Sequence, residues 1–71
     1  MIQVTTIGNG FLIDCPKILG TRLADHLVKN NIQVSEIRFP LNKMDAQIYG
    51  ILNYDIDLEE LVNQYKLEHG Y

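Results

Sequence analysis

The sequence has one cysteine, two prolines, no tryptophan and a single serine, Ser35. One thiol excludes an internal disulfide and any zinc cluster built on cysteines. Prolines and glycines are too few and too scattered to mark a linker, and no low-complexity tract or charge block breaks the chain. Cations are scarce as well. Six Lys and Arg stand against nine Asp and Glu, a formal net charge of −3. Such a balance lacks the dense cationic surface that binding to nucleic acid or to an anionic membrane requires. No apolar run approaches the roughly 20 residues of a membrane-spanning helix. No basic segment followed by an apolar stretch opens the chain, so no secretory signal is read there. A cytoplasmic protein is the expectation.

What is present is a domain-forming composition. Residues 1–71 suit one small domain and leave no room for two. Leu, Ile, Val and Phe make up about a third of the chain, well above the level at which chains stay disordered. The stretch 2–7 alternates, with Ile2, Val4 and Thr6 on one side and Gln3, Thr5 and Ile7 on the other. It is rich in β-branched residues and predicts a strand. Gly8-Asn9-Gly10 follows. Asn-Gly between apolar runs predicts a hairpin, with positive φ tolerated at both residues. The return strand spans 11–15 and aligns Phe11, Ile13 and Cys15.

Pro16 suits the first turn of a helix, with Asp14 or Cys15 near the cap. Ile18, Leu19, Leu23, Leu27 and Val28 recur at helical spacing, opposite Lys17, Arg22, Asp25 and Lys29. The helix is expected to end near Asn30-Asn31, and Gly20 within it points to close packing against a sheet. Residues 32–39 predict a third strand whose parity slips, because Ile32 and Val34 are even while Ile37 and Phe39 are odd. A bulge near Ser35-Glu36, or a strand starting only there, would repair it. A loop over 40–45 leads to a fourth strand over 46–54. Ala46, Ile48, Gly50, Leu52 and Tyr54 share one side of it, with Tyr49 and Ile51 on the other. Asp57 and Glu60 form a capping box, Ile56 and Leu61 a hydrophobic staple, and Leu58, Leu61, Val62 and Tyr65 the inward stripe of a last helix stopped by Gly70. The expected fold is α+β and two-layered: a small antiparallel sheet with two helices, in the order strand-strand-helix-strand-strand-helix, or strand-helix-strand-strand-helix if the first hairpin is one bent strand.

No catalytic constellation stands out. Gly8-x-Gly10 would need a third glycine where Ile13 stands, and no Gly-Lys-Ser/Thr follows. Cys15 near a helix start would have a lowered thiol pKa, but His26 lies about 16 Å further along the same helix at about 1.5 Å per residue. His69 is not excluded as its base by spacing. The two histidines form no metal-binding pair. Asp55, Asp57, Glu59 and Glu60 alternate as in a calcium loop, yet Glu60 stands where glycine is needed and Lys66 where glutamate is. No enzyme, cofactor or metal is expected. Leu12, Tyr49, Ile51, Tyr54 and Tyr71 are a different matter. Two helices cover one sheet face, not two, and tyrosine suits an interface because it buries a ring and keeps a wet hydroxyl. The expected partner-binding residues are Tyr49, Ile51, Tyr54, Asp55, Glu59, Glu60 and Tyr71. The expected partner is another protein, with self-association as a homodimer.

The stretch Gly8-Asn9-Gly10-Phe11-Leu12-Ile13-Asp14-Cys15-Pro16 resembles the N-terminal hairpin of the AbrB/MazE-type swapped-hairpin regulators. Asp57-Leu58-Glu59-Glu60-Leu61-Val62 is similar to the segment with which MazE-type antitoxins engage their toxin. The resemblance implies a regulator or antitoxin, either binding DNA or inhibiting a protein. Thr5 and Thr6 stand where that family carries basic residues ahead of the turn, which puts its DNA contacts in doubt.

Overall fold

The computed structural model describes residues 1–52 and 56–70. The strands are β1 (Gln3–Ile7), β2 (Gly10–Pro16), β3 (Gln33–Arg38) and β4 (Asp45–Ile51), and the helices α1 (Gly20–Lys29) and α2 (Leu58–His69). The order is ββαββα. All pairings are antiparallel, and the sheet order is β1-β2-β4-β3. The domain is therefore α+β, as the alternation and the capping signals indicated.

Both helices pack on one face of the sheet. Phe11, Ile13, Cys15, Ala46 and Ile48 from the central strands meet Leu19, Leu23, Ala24 and Leu27 from the first helical segment, and Leu58, Val62 and Tyr65 from α2. The parity slip in β3 is a bulge between Val34 and Glu36, which returns Ile37 to the side of Val34. Gly20 is buried where α1 crosses the sheet, as its place in the helix implied. A Cβ there would stand 2.9 Å from Phe39 Cε1 and 3.0 Å from Ala46 Cβ. Asp57 caps α2, its carboxylate accepting from the Glu60 N–H at 3.1 Å, and Gly70 ends the helix in the left-handed conformation. Ile56 and Leu61 both pack against the core.

Several expectations are corrected. The hairpin turn is Gly8-Asn9, not Asn9-Gly10. Gly8 alone takes positive φ, at 58°, while Gly10 already pairs with Ile7. One positive φ at the first turn position matches the type II′ turn, which asks for glycine there. Asp14 and Cys15 cap no helix, because β2 runs on to Pro16. Pro16 leads into a 3₁₀ turn, Lys17–Leu19, and α1 begins only at Gly20. That turn breaks the helical period, so Ile18 is exposed instead of joining the inward stripe. Val28 also faces out, and Ala24 takes the buried place beside Leu23 and Leu27. The fourth strand stops at Ile51, and Tyr54 lies outside the described residues.

Candidate interaction surface

Strand pleating sends alternate residues to the face that the helices leave open. The register aligns them in three rows across the sheet. Ile7, Gly10, Ile51 and Gln33 form one, Thr5, Leu12, Tyr49 and Glu36 the next, and Gln3, Asp14, Gln47 and Arg38 the third. Two rows are apolar at their centre. Gly10 carries no side chain, so a hollow opens beside Ile7 and Leu12. It has a volume of about 340 Å³ and is lined by Thr5, Ile7, Gly10, Leu12, Ser35 and Tyr49, with Phe11 and Gly50 at its floor. Ile7 is 82% exposed and Ile51 43%.

A polar chain borders the hollow. The Tyr49 hydroxyl donates to Gln47 Oε1 at 3.1 Å, and Gln47 Nε2 donates to Asp14 Oδ1 at 3.4 Å. The Arg38 guanidinium lies 5.0 Å from the centroid of the Tyr49 ring and pairs with Glu36. The hydrogen bond and the charge of Glu36 push the Arg38 pKa upward, so Arg38 is a permanent cation on this face. Tyr49 is thus held by its hydroxyl at one end and its ring at the other, a rigid aromatic anchor at the edge of an apolar hollow.

The structure brings together only part of the expected site. Leu12, Tyr49 and Ile51 share the open face. Glu59 and Glu60 are exposed in the first turn of α2, in the opposite layer, so they form no common surface with Tyr49. Tyr54, Asp55 and Tyr71 lie outside the described residues. Ile7, Gly10, Arg38 and Gln47 were missed. For Ile7 the signal was present, because the alternation already placed it with Gln3 and Thr5. For Arg38 it was present too, because Arg38 alternates with Ile37 and Phe39, the apolar residues of its strand.

Cys15 is fully buried in the core. Burial, and secondarily the charges of Asp45 and Asp14, push its thiol up from 9.0 to about 11, the reverse of the lowering expected at a helix start. Below pH 9 the thiol is protonated in both folded and unfolded chains. Between pH 9 and about 11 only the unfolded chain ionises, so stability is expected to fall as pH rises through that window. The loss is about 2–3 kcal/mol. Urea midpoints measured along that pH range should fall more steeply for the wild type than for Cys15→Ala. Parallel slopes would refute the assignment.

His26 and His69 flank the Tyr65 ring, at 5.0 and 4.3 Å between centroids. Among the described residues no group of His, Cys, Asp or Glu is placed to hold a metal, and no helix is long and apolar enough to cross a membrane. Comparison with family models, curated proteins and solved structures gives no match.

Proposed function

We propose that the chain is a non-catalytic interaction protein that binds another protein through the open sheet face and regulates or inhibits it. One observation carries this reading: two helices cover one side of the sheet, and the other side keeps an apolar hollow of about 340 Å³ beside the anchored Tyr49. An exposed apolar hollow rimmed by polar groups is the usual form of a docking site. We place its action in the cytoplasm, where the free Cys15 needs no disulfide partner. The test is photocrosslinking from a benzophenone side chain placed at Leu12, on the open face, or at Gln64, on α2. Adducts are expected from position 12 and not from position 64, and the reverse pattern would refute the proposal.

A small apolar ligand is the second reading, because the volume of the hollow reaches the lower range of ligand sites. Saturable binding of a hydrophobic fluorophore, one per chain and abolished by Leu12→Arg, would favour it.

A DNA-binding role of the AbrB/MazE kind has less support. Of the cations Lys17, Arg22 and Lys29, the last is paired with Asp25 at 2.9 Å. Few phosphate contacts mean weak binding. No shifted band is expected with micromolar protein and duplex DNA at about 150 mM salt; a submicromolar complex would promote the regulator reading.

A further inference from the structure

The two edges of the sheet are protected differently. β3, at one edge, carries the bulge after Val34, the charged pair Glu36 and Arg38, and Pro40 just beyond its end. Bulges, charges and proline are the devices that stop an edge from pairing with another chain. β1, at the other edge, reads Gln-Val-Thr-Thr-Ile. It has no charge, no proline and no bulge, and Gln3, Thr5, Thr6 and Ile7 are exposed.

The free hydrogen-bonding groups of β1 follow from one bond. The Leu52 N–H donates to Asn9 O at 2.7 Å. The Leu52–Asn9 position therefore belongs to the hydrogen-bonded set between β4 and β2, and so does Gly50–Phe11 two residues on. Phe11 then turns its N–H and C=O toward β4. Gly10, Leu12 and Asp14 turn theirs toward Ile7, Thr5 and Gln3 of β1. The N–H and C=O groups of Val4 and Thr6, with those of Ile2 before them, point away from the sheet.

We propose that two copies of the chain pair β1 to β1, antiparallel about a twofold axis at Val4, into one eight-stranded sheet. Val4 then exchanges two hydrogen bonds with the second copy's Val4, and Ile2 does so with the second copy's Thr6, so that all outward groups of β1 are used. The neighbouring helix supports the choice of a second copy as occupant. A groove of about 150 Å³ runs between β1 and α2, lined by Ile2, Val4, Glu59, Val62, Asn63 and Lys66. Glu59, Asn63 and Lys66 are spaced to share one side of α2, the side toward the free edge. The twofold axis sets the two α2 helices antiparallel, side by side. Glu59 of each copy then faces the second copy's Lys66, and Asn63 lies near the axis. Among the described residues neither Glu59 nor Lys66 has an ion-pair partner within its own copy. The pairing leaves the open faces of both copies free, side by side on one continuous surface.

Sedimentation equilibrium at tens of micromolar should give twice the 8.2 kDa of the chain. Thr6→Pro removes one outward N–H, which an edge strand tolerates in the monomer, and is expected to weaken the dimer about tenfold or more. Lys66→Glu and Glu59→Lys should each weaken it about tenfold, and the double reversal should restore it, because it rebuilds both pairs with signs exchanged. The Val4 amide should exchange slowly in the wild type and fast in Thr6→Pro, with circular dichroism reporting both folded. A chain of 8.2 kDa under these conditions would overturn the proposal, including the case in which β1 captures a strand from a different protein. A dimer indifferent to Thr6→Pro, or charge reversals that do not compensate each other, would overturn it equally.

Discussion

Gly50→Ala is expected to remove a large part of the stability of the fold. A Cβ at Gly50 would fall onto the backbone oxygen of Gln33 and the Cζ of Phe11, and 2.6 Å from Phe11 Cε2. Neither obstacle can yield cheaply. The Gln33 oxygen belongs to the β3 backbone that lies beside β4, and the Phe11 ring is a core side chain laid over the glycine it pairs with. Overpacking of this kind costs more than about 3 kcal/mol. A domain of this length has roughly 4–10 kcal/mol in total. Gly20→Ala is the contrasting case. Its Cβ would meet the half-exposed Phe39 ring, the far end of a side chain that can yield, and Ala46 Cβ at 3.0 Å, which must give by a few tenths of an ångström, and the gain in helix propensity, up to about 1 kcal/mol, offsets that cost. Urea denaturation should place Gly20→Ala within about 1 kcal/mol of the wild type. A Gly50→Ala protein with an unshifted midpoint would mean that β3 and β4 lie further apart than the register shows.

The second large effect separates folding from binding on a single strand. Ile48 and Tyr49 are adjacent in β4 and point to opposite faces. Ile48 is fully buried against Ile13, so Ile48→Ala should cost about 3–4 kcal/mol by loss of transfer energy and by the cavity left behind. Tyr49 stands on the open face, and Tyr49→Ala should cost less than about 1 kcal/mol in stability. Its effect should appear in binding, where a central aromatic anchor carries 2 kcal/mol or more, roughly a thirtyfold loss of affinity. Denaturation midpoints and affinity for the partner crosslinked at position 12, measured on both variants, make the comparison. Equal destabilisation by the two changes would show that both faces of β4 are covered.

Much of the fold was legible from local signals. Asp57 and Gly70 bracketed α2 because capping chemistry acts within one turn. The parity slip between Val34 and Ile37 announced either a bulge or a later strand start, because a strand with one buried face cannot otherwise change parity, and the pairing of Val34 with Gly50 selects the bulge. The start of α1 was not legible. Pro16 fits equally before an α-helix or a 3₁₀ turn, and what decides is how far β2 stays paired with β4, a non-local fact. The same paired length moved Ile18 out of the core. The partner site was half legible. Tyr49 and Ile51 were found because alternation separates the faces of a strand. Glu59 and Glu60 were joined to them only by nearness in sequence, and the layer arrangement puts them on the other side of the molecule.

Caps, turns and pleating act over one to four residues, so the α2 boundaries and the odd-and-even division of each strand could be read from local sequence. Strand pairing is a property of the folded arrangement, and from it follow the edge position of β1, the Phe11 ring over Gly50, and the meeting of Ile7, Leu12 and Tyr49 around one hollow. Those facts depend on contacts between segments far apart in the chain. The free energy that selects them is the burial of a shared core, and no short stretch of residues carries it alone.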